Sequence, residues 1–199
     1  MVLVCGSTWP PDEEILARFA KMPPRPMRLI LAPHVISEEH LQQIEKLFPD
    51  SVRYSSFRGD RGDRGTSGFK GFKGTSGTKG FRGSRVLIID NIGILSKLYR
   101  YADVAYIGGG FGVGIHNILE AVTFGKPVLF GPNYHKFQEA RDIIARGGGW
   151  SVGSADQLMH TLGPLVADPD KRQKPSQACT EYMQQNLGST EKILAVIEF

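Results

Sequence analysis

The chain has 199 residues, 41% of them hydrophobic and 22% charged, which is enough apolar mass for a core and too little charge for a disordered polypeptide. Its two cysteines, Cys5 and Cys179, exclude a disulfide scaffold and point to a reducing compartment; no Cys/His cluster has zinc-ligand spacing, and no apolar run reaches the ~18 residues of a membrane span. The net charge of +4 is local: between Phe57 and Arg85 eight basic residues face two acidic ones, so the remainder is slightly acidic.

In chain order, Val2 to Cys5 predicts a short strand ending at Gly6. Pro10 and Pro11, followed by Asp12, Glu13 and Glu14, predict a helix first turn, with Ile15, Phe19 and Met22 on one face. Arg28 to Ala32 is a second strand stopped by Pro33, and Ser37 opens a second helix with Leu41, Ile44, Leu47 and Phe48 inward. A third strand is expected over Val52 to Tyr54.

From 57 to 85 the pattern changes. Glycine falls at 59, 62, 65, 68, 71, 74, 77, 80 and 83, in strict period three. That period is collagen-like, but the segment holds no proline and a triple helix needs imino acids and three strands. A flexible, solvated loop grown by duplication is the expectation; the alternative is a basic, Phe-interleaved segment that touches nucleic acid or anionic lipid, and no nucleic-acid partner is assigned to it.

Alternation resumes with a strand over Val86 to Asp90, a short helix at Leu95 to Tyr101 and a strand over Val104 to Ile107. A helix over Ile115 to Phe124, a strand over Pro127 to Phe130, a helix over Lys136 to Arg146 and a strand over Trp150 to Val152 follow. Helices over 155–167, 170–186 and 189–198 close the chain. Apolar strands separated by amphipathic helices predict an α/β fold, a Rossmann-like parallel sheet with helices on both faces. The whole chain, 1–199, reads as one domain interrupted by the 57–85 loop.

Ligands of such sheets bind at the carboxyl ends of the strands. The richest loop there is Gly108-Gly109-Gly110-Phe111-Gly112-Val113-Gly114, five glycines in seven residues. It fits neither the dinucleotide fingerprint nor a P-loop. Its backbone amides suit a phosphate. On the helix expected beyond it, Asn117 falls near the phosphate end. Glu120 falls one turn deeper, where a carboxylate suits ribose hydroxyls better than an anion. His116, four residues before Glu120, is equally readable as a packing or solvated histidine. Ser7 and Thr8, at the first strand's end, either contact an anion or cap the next helix.

Several stretches together resemble one family. Gly-Ser-Thr-Trp-Pro (6–10), Leu-Ala-Pro-His (31–34), Ile-Asp-Asn-Ile-Gly (89–93), Tyr-Arg-Tyr-Ala-Asp-Val-Ala-Tyr-Ile-Gly-Gly-Gly-Phe (99–111), Gly-Ile-His-Asn-Ile-Leu-Glu-Ala (114–121), Gly-Lys-Pro-Val-Leu-Phe-Gly-Pro-Asn (125–133) and Phe-Gln-Glu-Ala-Arg (137–141) are similar to the C-terminal half of 3-deoxy-D-manno-octulosonic acid (Kdo) transferase, in the form of Bacteroidetes-like bacteria. The resemblance implies a GT-B glycosyltransferase, a metal-independent inverting enzyme without cofactor that moves Kdo from CMP-Kdo to the lipid A precursor in lipopolysaccharide biosynthesis. It implies that Gly109 and Gly110 hold the phosphate, Asn117 orients it and Glu120 takes the ribose. Ser7 and Thr8 then lie by phosphate or Kdo, while Pro33, His34, Ile92 and Gly93 flank the cytosine.

The chain departs from the family in lacking an Arg between Pro33 and His34 and in carrying Ile115 where a second Gly is common. The family's membrane anchor, acceptor site and catalytic base lie in an N-terminal half not represented in this sequence. The expectation is therefore a donor-binding part, incomplete as an enzyme alone. It would be cytoplasmic, or at the cytoplasmic face of the inner membrane within a full-length protein. A non-catalytic nucleotide-binding module and a GT-B enzyme using a UDP-sugar are the alternatives. The C-terminal residues Ile193, Leu194, Val196, Ile197 and Phe199 are expected to form an apolar patch.

Overall fold

The computed structural model describes residues 1–57, 84–188 and 194–197. The expected glycine-rich loop and most of the expected closing helix over 189–198, with Ile193 and Phe199, lie outside the described residues. Leu194, Val196 and Ile197 are exposed.

Seven parallel strands form one sheet in the order β3-β4-β2-β1-β5-β6-β7. They are β1 (Val2–Thr8), β2 (Arg28–Pro33), β3 (Ser51–Arg53), β4 (Val86–Ile88), β5 (Val104–Ile107), β6 (Val128–Phe130) and β7 (Gly149–Ser151). The helices are α1 (Pro10–Lys21), α2 (Glu38–Leu47), α3 (Leu95–Leu98), α4 (Leu119–Val122), α5 (Gln138–Ala145), α6 (Ala155–Ala167) and α7 (Gln173–Asn186).

The apolar runs hide a period of two. Leu3 and Cys5 of β1 pack on one face with Leu16 and Phe19 of α1, Leu41 and Ile44 of α2, and Leu158 and Leu162 of α6. Val4, between them, packs on the other with Leu98, Ala121 and Val122, Ile143 of α5 and Cys179 of α7. Alternate side chains of a strand point to opposite faces, so a strand covered on both sides reads as continuously apolar. Each Leu or Phe so enclosed contributes about 1.5–3 kcal/mol through removal from water.

Several boundaries move from expectation. Strand β1 runs on to Thr8, with a register irregularity between Gly6 and Thr8. Tyr54 leaves β3 for a short 3₁₀ turn, and β4 ends at Ile88. The last strand is shifted one residue, to Gly149–Ser151. Met22 is not on the buried face of α1: it caps the helix and is 77% exposed. The face that packs inward carries Leu16, Ala17 and Phe19, and its first turn buries Asp12 and Glu13. The largest change is at α4, which has four residues instead of ten. Gly114 takes a left-handed φ of 136°, the Asn117 side chain accepts the Leu119 amide at 3.0 Å, and residues 115–117 lie outside any helix.

Candidate donor site at the sheet's carboxyl edge

From β1 the chain steps to β2 on one side, while β5 lies on the other. Between β1 and β5 the strand order switches direction, and a crevice opens beyond the carboxyl ends of such strands. The segments that meet there are Gly6 to Trp9 and the loop opening at Gly108.

Glycine is required in this loop because backbone meets backbone. A Cβ on Gly108 would meet the Thr8 Cα at 2.6 Å, and one on Gly110 would meet Gly131 at 2.6 Å. The Gly108 amide donates to the Gly6 carbonyl at 2.9 Å and the Asn133 amide to the Gly110 carbonyl at 2.9 Å. The loop is thereby seamed to β1 on one side and to the turn after β6 on the other. No hydrogen bond among the described residues takes up the Gly110 or Phe111 amide.

Two carboxylates lie beneath the loop, both closed off from solvent. Asp12 Oδ2 accepts the amides of Trp9, at 2.9 Å, and Gly109, at 3.0 Å; Oδ1 accepts the Tyr106 hydroxyl at 2.8 Å. Glu13 Oε1 accepts the Thr8 hydroxyl, and Oε2 pairs with His40 Nε2, both at 2.9 Å. The His40 Nδ1 lies 2.9 Å from the Val35 carbonyl. Burial raises the pKa of both carboxyls, opposed at Asp12 by the Gly109, Trp9 and Tyr106 hydrogen bonds and by nearby His116. At Glu13 the opposition comes from His40 and Thr8.

Three rings stand at the rim. Trp9 stacks on His34 with centroids 4.7 Å apart, and His34 meets His116 at 4.5 Å. The Trp9 indole N–H donates to His116 Nε2 at 3.3 Å, so that nitrogen carries no proton. The His116 pKa is lowered, first by burial and then by His34, with Asp12 acting in the opposite sense.

The anticipated residues divide. Ser7 sits at the crevice with φ of 53°, left-handed although it is not glycine; such strain is held only where the surroundings impose it. Thr8 is corrected: it is fully buried, its hydroxyl is spent on Glu13, and neither it nor Ser7 caps α1, whose N-cap is Trp9. Gly109 is corrected in part, because its amide faces Asp12 and is not free for a phosphate. Gly110 keeps its place in the loop. Pro33 is buried at the end of β2, while His34 is exposed and held in the ring cluster. Ile92, 91% exposed, and Gly93, with φ of 93°, lie after β4, separated from β5 by two strands. Asn117 is exposed, and Glu120 is half-buried without a hydrogen bond or ion pair among the described residues. The readings of His116 and Glu120 as neighbours on one helical face do not survive, since α4 begins at Leu119.

Sequence reasoning missed Trp9, Asp12, Glu13, His40 and Tyr106. A signal was available for two of them. Continued back by one turn, the stripe of Leu16, Ala17 and Phe19 lands on Asp12 and Glu13. Among the described residues no group of three or more His, Cys, Asp or Glu is placed to hold a metal, and no helix is long and apolar enough to cross a membrane.

No protein-family model matches the chain. Among curated proteins, it is 35% identical over 115 residues to a 3-deoxy-D-manno-octulosonic acid transferase of Bordetella pertussis, covering 57% of this chain and 27% of that protein. Over that stretch the chain is similar to a Kdo transferase. A second of these, from Aquifex aeolicus, is 34% identical over 84 residues, covering 41% of this chain and 24% of that protein. This chain thus spans about a quarter of the length of the curated Kdo transferases it matches. Among solved structures, the C-terminal CMP-Kdo binding domain of WaaA from Acinetobacter baumannii superposes with a TM-score of 0.70 at 19% identity, over 92% of this chain and 89% of that one. The fold is therefore α/β and Rossmann-like, of the kind seen in C-terminal domains of GT-B glycosyltransferases.

Proposed function

We propose that the chain is the donor-binding half of a Kdo transferase, which takes CMP-Kdo and serves transfer of Kdo to the lipid A precursor at the cytoplasmic face of the inner membrane. The observation that carries this reading is the 35% identity to a Kdo transferase over 115 residues. The phosphate sits against the open amides of Gly110 and Phe111, with Ser7 and Asn117 beside it. Glu120 accepts the ribose hydroxyls. His34, with Pro33 beneath it, and the Ile92-Gly93 turn flank the cytosine. Asp12 and Glu13 are enclosed and fully hydrogen-bonded, so neither reaches an acceptor hydroxyl. The base that takes its proton, and the acceptor pocket, come from outside these residues. What the chain supplies to the chemistry is orientation of the donor and neutralisation of charge on the leaving CMP.

Titration of CMP and UMP into wild type and Glu120→Ala tests this. Wild type binds CMP more tightly than UMP. The variant loses about 1–3 kcal/mol for both, the scale of hydrogen bonds to a charged group, since ribose is common to them. CMP binding unaltered in a folded variant removes Glu120 from the site; no CMP binding by wild type removes the reading itself.

A further inference from the structure

One constraint on the pivot of the glycine loop comes from a buried side chain outside it. Gly109 is the loop's pivot: its carbonyl accepts the amides of Gly112, at 3.0 Å, and Gly114, at 3.3 Å. Its own φ is 90°, and a Cβ there would meet the Gly114 carbonyl oxygen at 2.5 Å. Among the described residues, the one hydrogen bond that reaches Gly109 from the body of the domain is its amide to Asp12 Oδ2. The same oxygen accepts the Trp9 amide, and Tyr106, in the strand feeding the loop, donates to the other. Asp12 therefore ties the start of α1, the end of β5 and the loop pivot to one buried carboxyl. As the third residue of α1, Asp12 closes a capping box on the Trp9 amide; its bonds to Gly109 and Tyr106 go beyond what the helix asks of it. Burying it is costly unless its hydrogen bonds serve an end.

We propose that Asp12 is a positioning residue for the donor phosphate: it does not touch the donor, but holds Gly109 so that the Gly110 and Phe111 amides face the crevice. The assignment rests on the donor-site reading above. Glu13, its neighbour, serves the opposite wall, through His40 to the Val35 carbonyl. On the phosphate side Asp12 holds the pivot, while Gly108 and Gly110 are seamed to Gly6 and Asn133. In Asp12→Asn the side-chain oxygen still accepts the Trp9 and Gly109 amides, and its NH₂ group finds the Tyr106 hydroxyl as acceptor. In Asp12→Ala nothing replaces them.

The test follows ¹⁵N-labelled full chain by NMR, titrated with CMP and, separately, with cytidine, which lacks the phosphate. Asp12→Ala is expected to weaken CMP about tenfold while cytidine changes less than about twofold, and Asp12→Asn to keep CMP within about threefold of wild type. Amide exchange at Gly109 should quicken about tenfold in the alanine variant and about threefold in the asparagine variant. Equal losses for both ligands, or none, would mean a general structural role and overturn the assignment. If Asp12→Ala is unfolded by circular dichroism, Gly109 exchange in Asp12→Asn decides, and an unchanged rate overturns it. If wild type binds neither ligand, the CMP-Kdo reading falls, and the hold on Gly109 is judged on the exchange rates alone.

Discussion

Two loops at the carboxyl edge carry glycine, for opposite reasons. After β5, Gly108 and Gly110 are wedged against the backbones of Thr8 and Gly131. After β4, Gly93 has nothing within 4 Å of where a Cβ would stand, and only its φ of 93° asks for glycine. The first loop is shaped by what it is packed into and the second by its own turn. One is built to hold a fixed row of amides, and the other leaves Ile92 in solvent.

The sharpest way to break this contrast is Gly110→Ala. Its Cβ has only backbone to push against, so we expect a loss of about 3 kcal/mol, the upper end of overpacking costs, measured by denaturant unfolding. A loss below that of Gly93→Ala would reverse the comparison. Gly93→Ala itself should cost about 1–2 kcal/mol, the strain of a left-handed alanine, and Gly93→Asn should cost less. The smallest effect concerns His116, at the rim of the packed loop. Its folded pKa is lowered from 6.5, so its contribution to stability is complete above that value and is lost as pH falls toward the folded pKa. Asp12 and Glu13, with raised values, act in the opposite direction as pH falls, which masks the histidine in wild type alone. The difference in melting temperature between wild type and His116→Gln should therefore shift against wild type between pH 7 and pH 5. A pH-independent difference would place His116 outside the coupled group.

The packed loop and its strands were legible in the sequence, and its underside was not. Val104 to Ile107 followed by five glycines could be read directly, because a strand running into glycine is a local pattern. Pro-Pro-Asp-Glu-Glu marks a helix first turn and says nothing of where Asp12 and Glu13 point. Their burial depends on Gly109 and Tyr106, nearly a hundred residues later, and on His40. The helix over 115–124 was misread because Ile115, Ile118, Leu119 and Val122 do make a helical stripe. Gly114 and the Asn117 side chain override it locally, leaving only four residues in helix. Fold class needs only periodicity; the site needs partners that are distant in sequence.

The ring cluster gives the site an optical reporter of its own. Of the two tryptophans in the chain, Trp150 lies in β7 at the sheet's far edge, while Trp9 rests on His34 and donates to His116 at the crevice. Protonated imidazoles quench a neighbouring indole, and neutral ones do so far less. Emission from Trp9 thus tracks the charge of His116, whose Nε2 accepts its indole N–H. With Trp150 replaced by Phe, the intrinsic fluorescence of the unlabelled chain becomes a readout of protonation at the carboxyl edge.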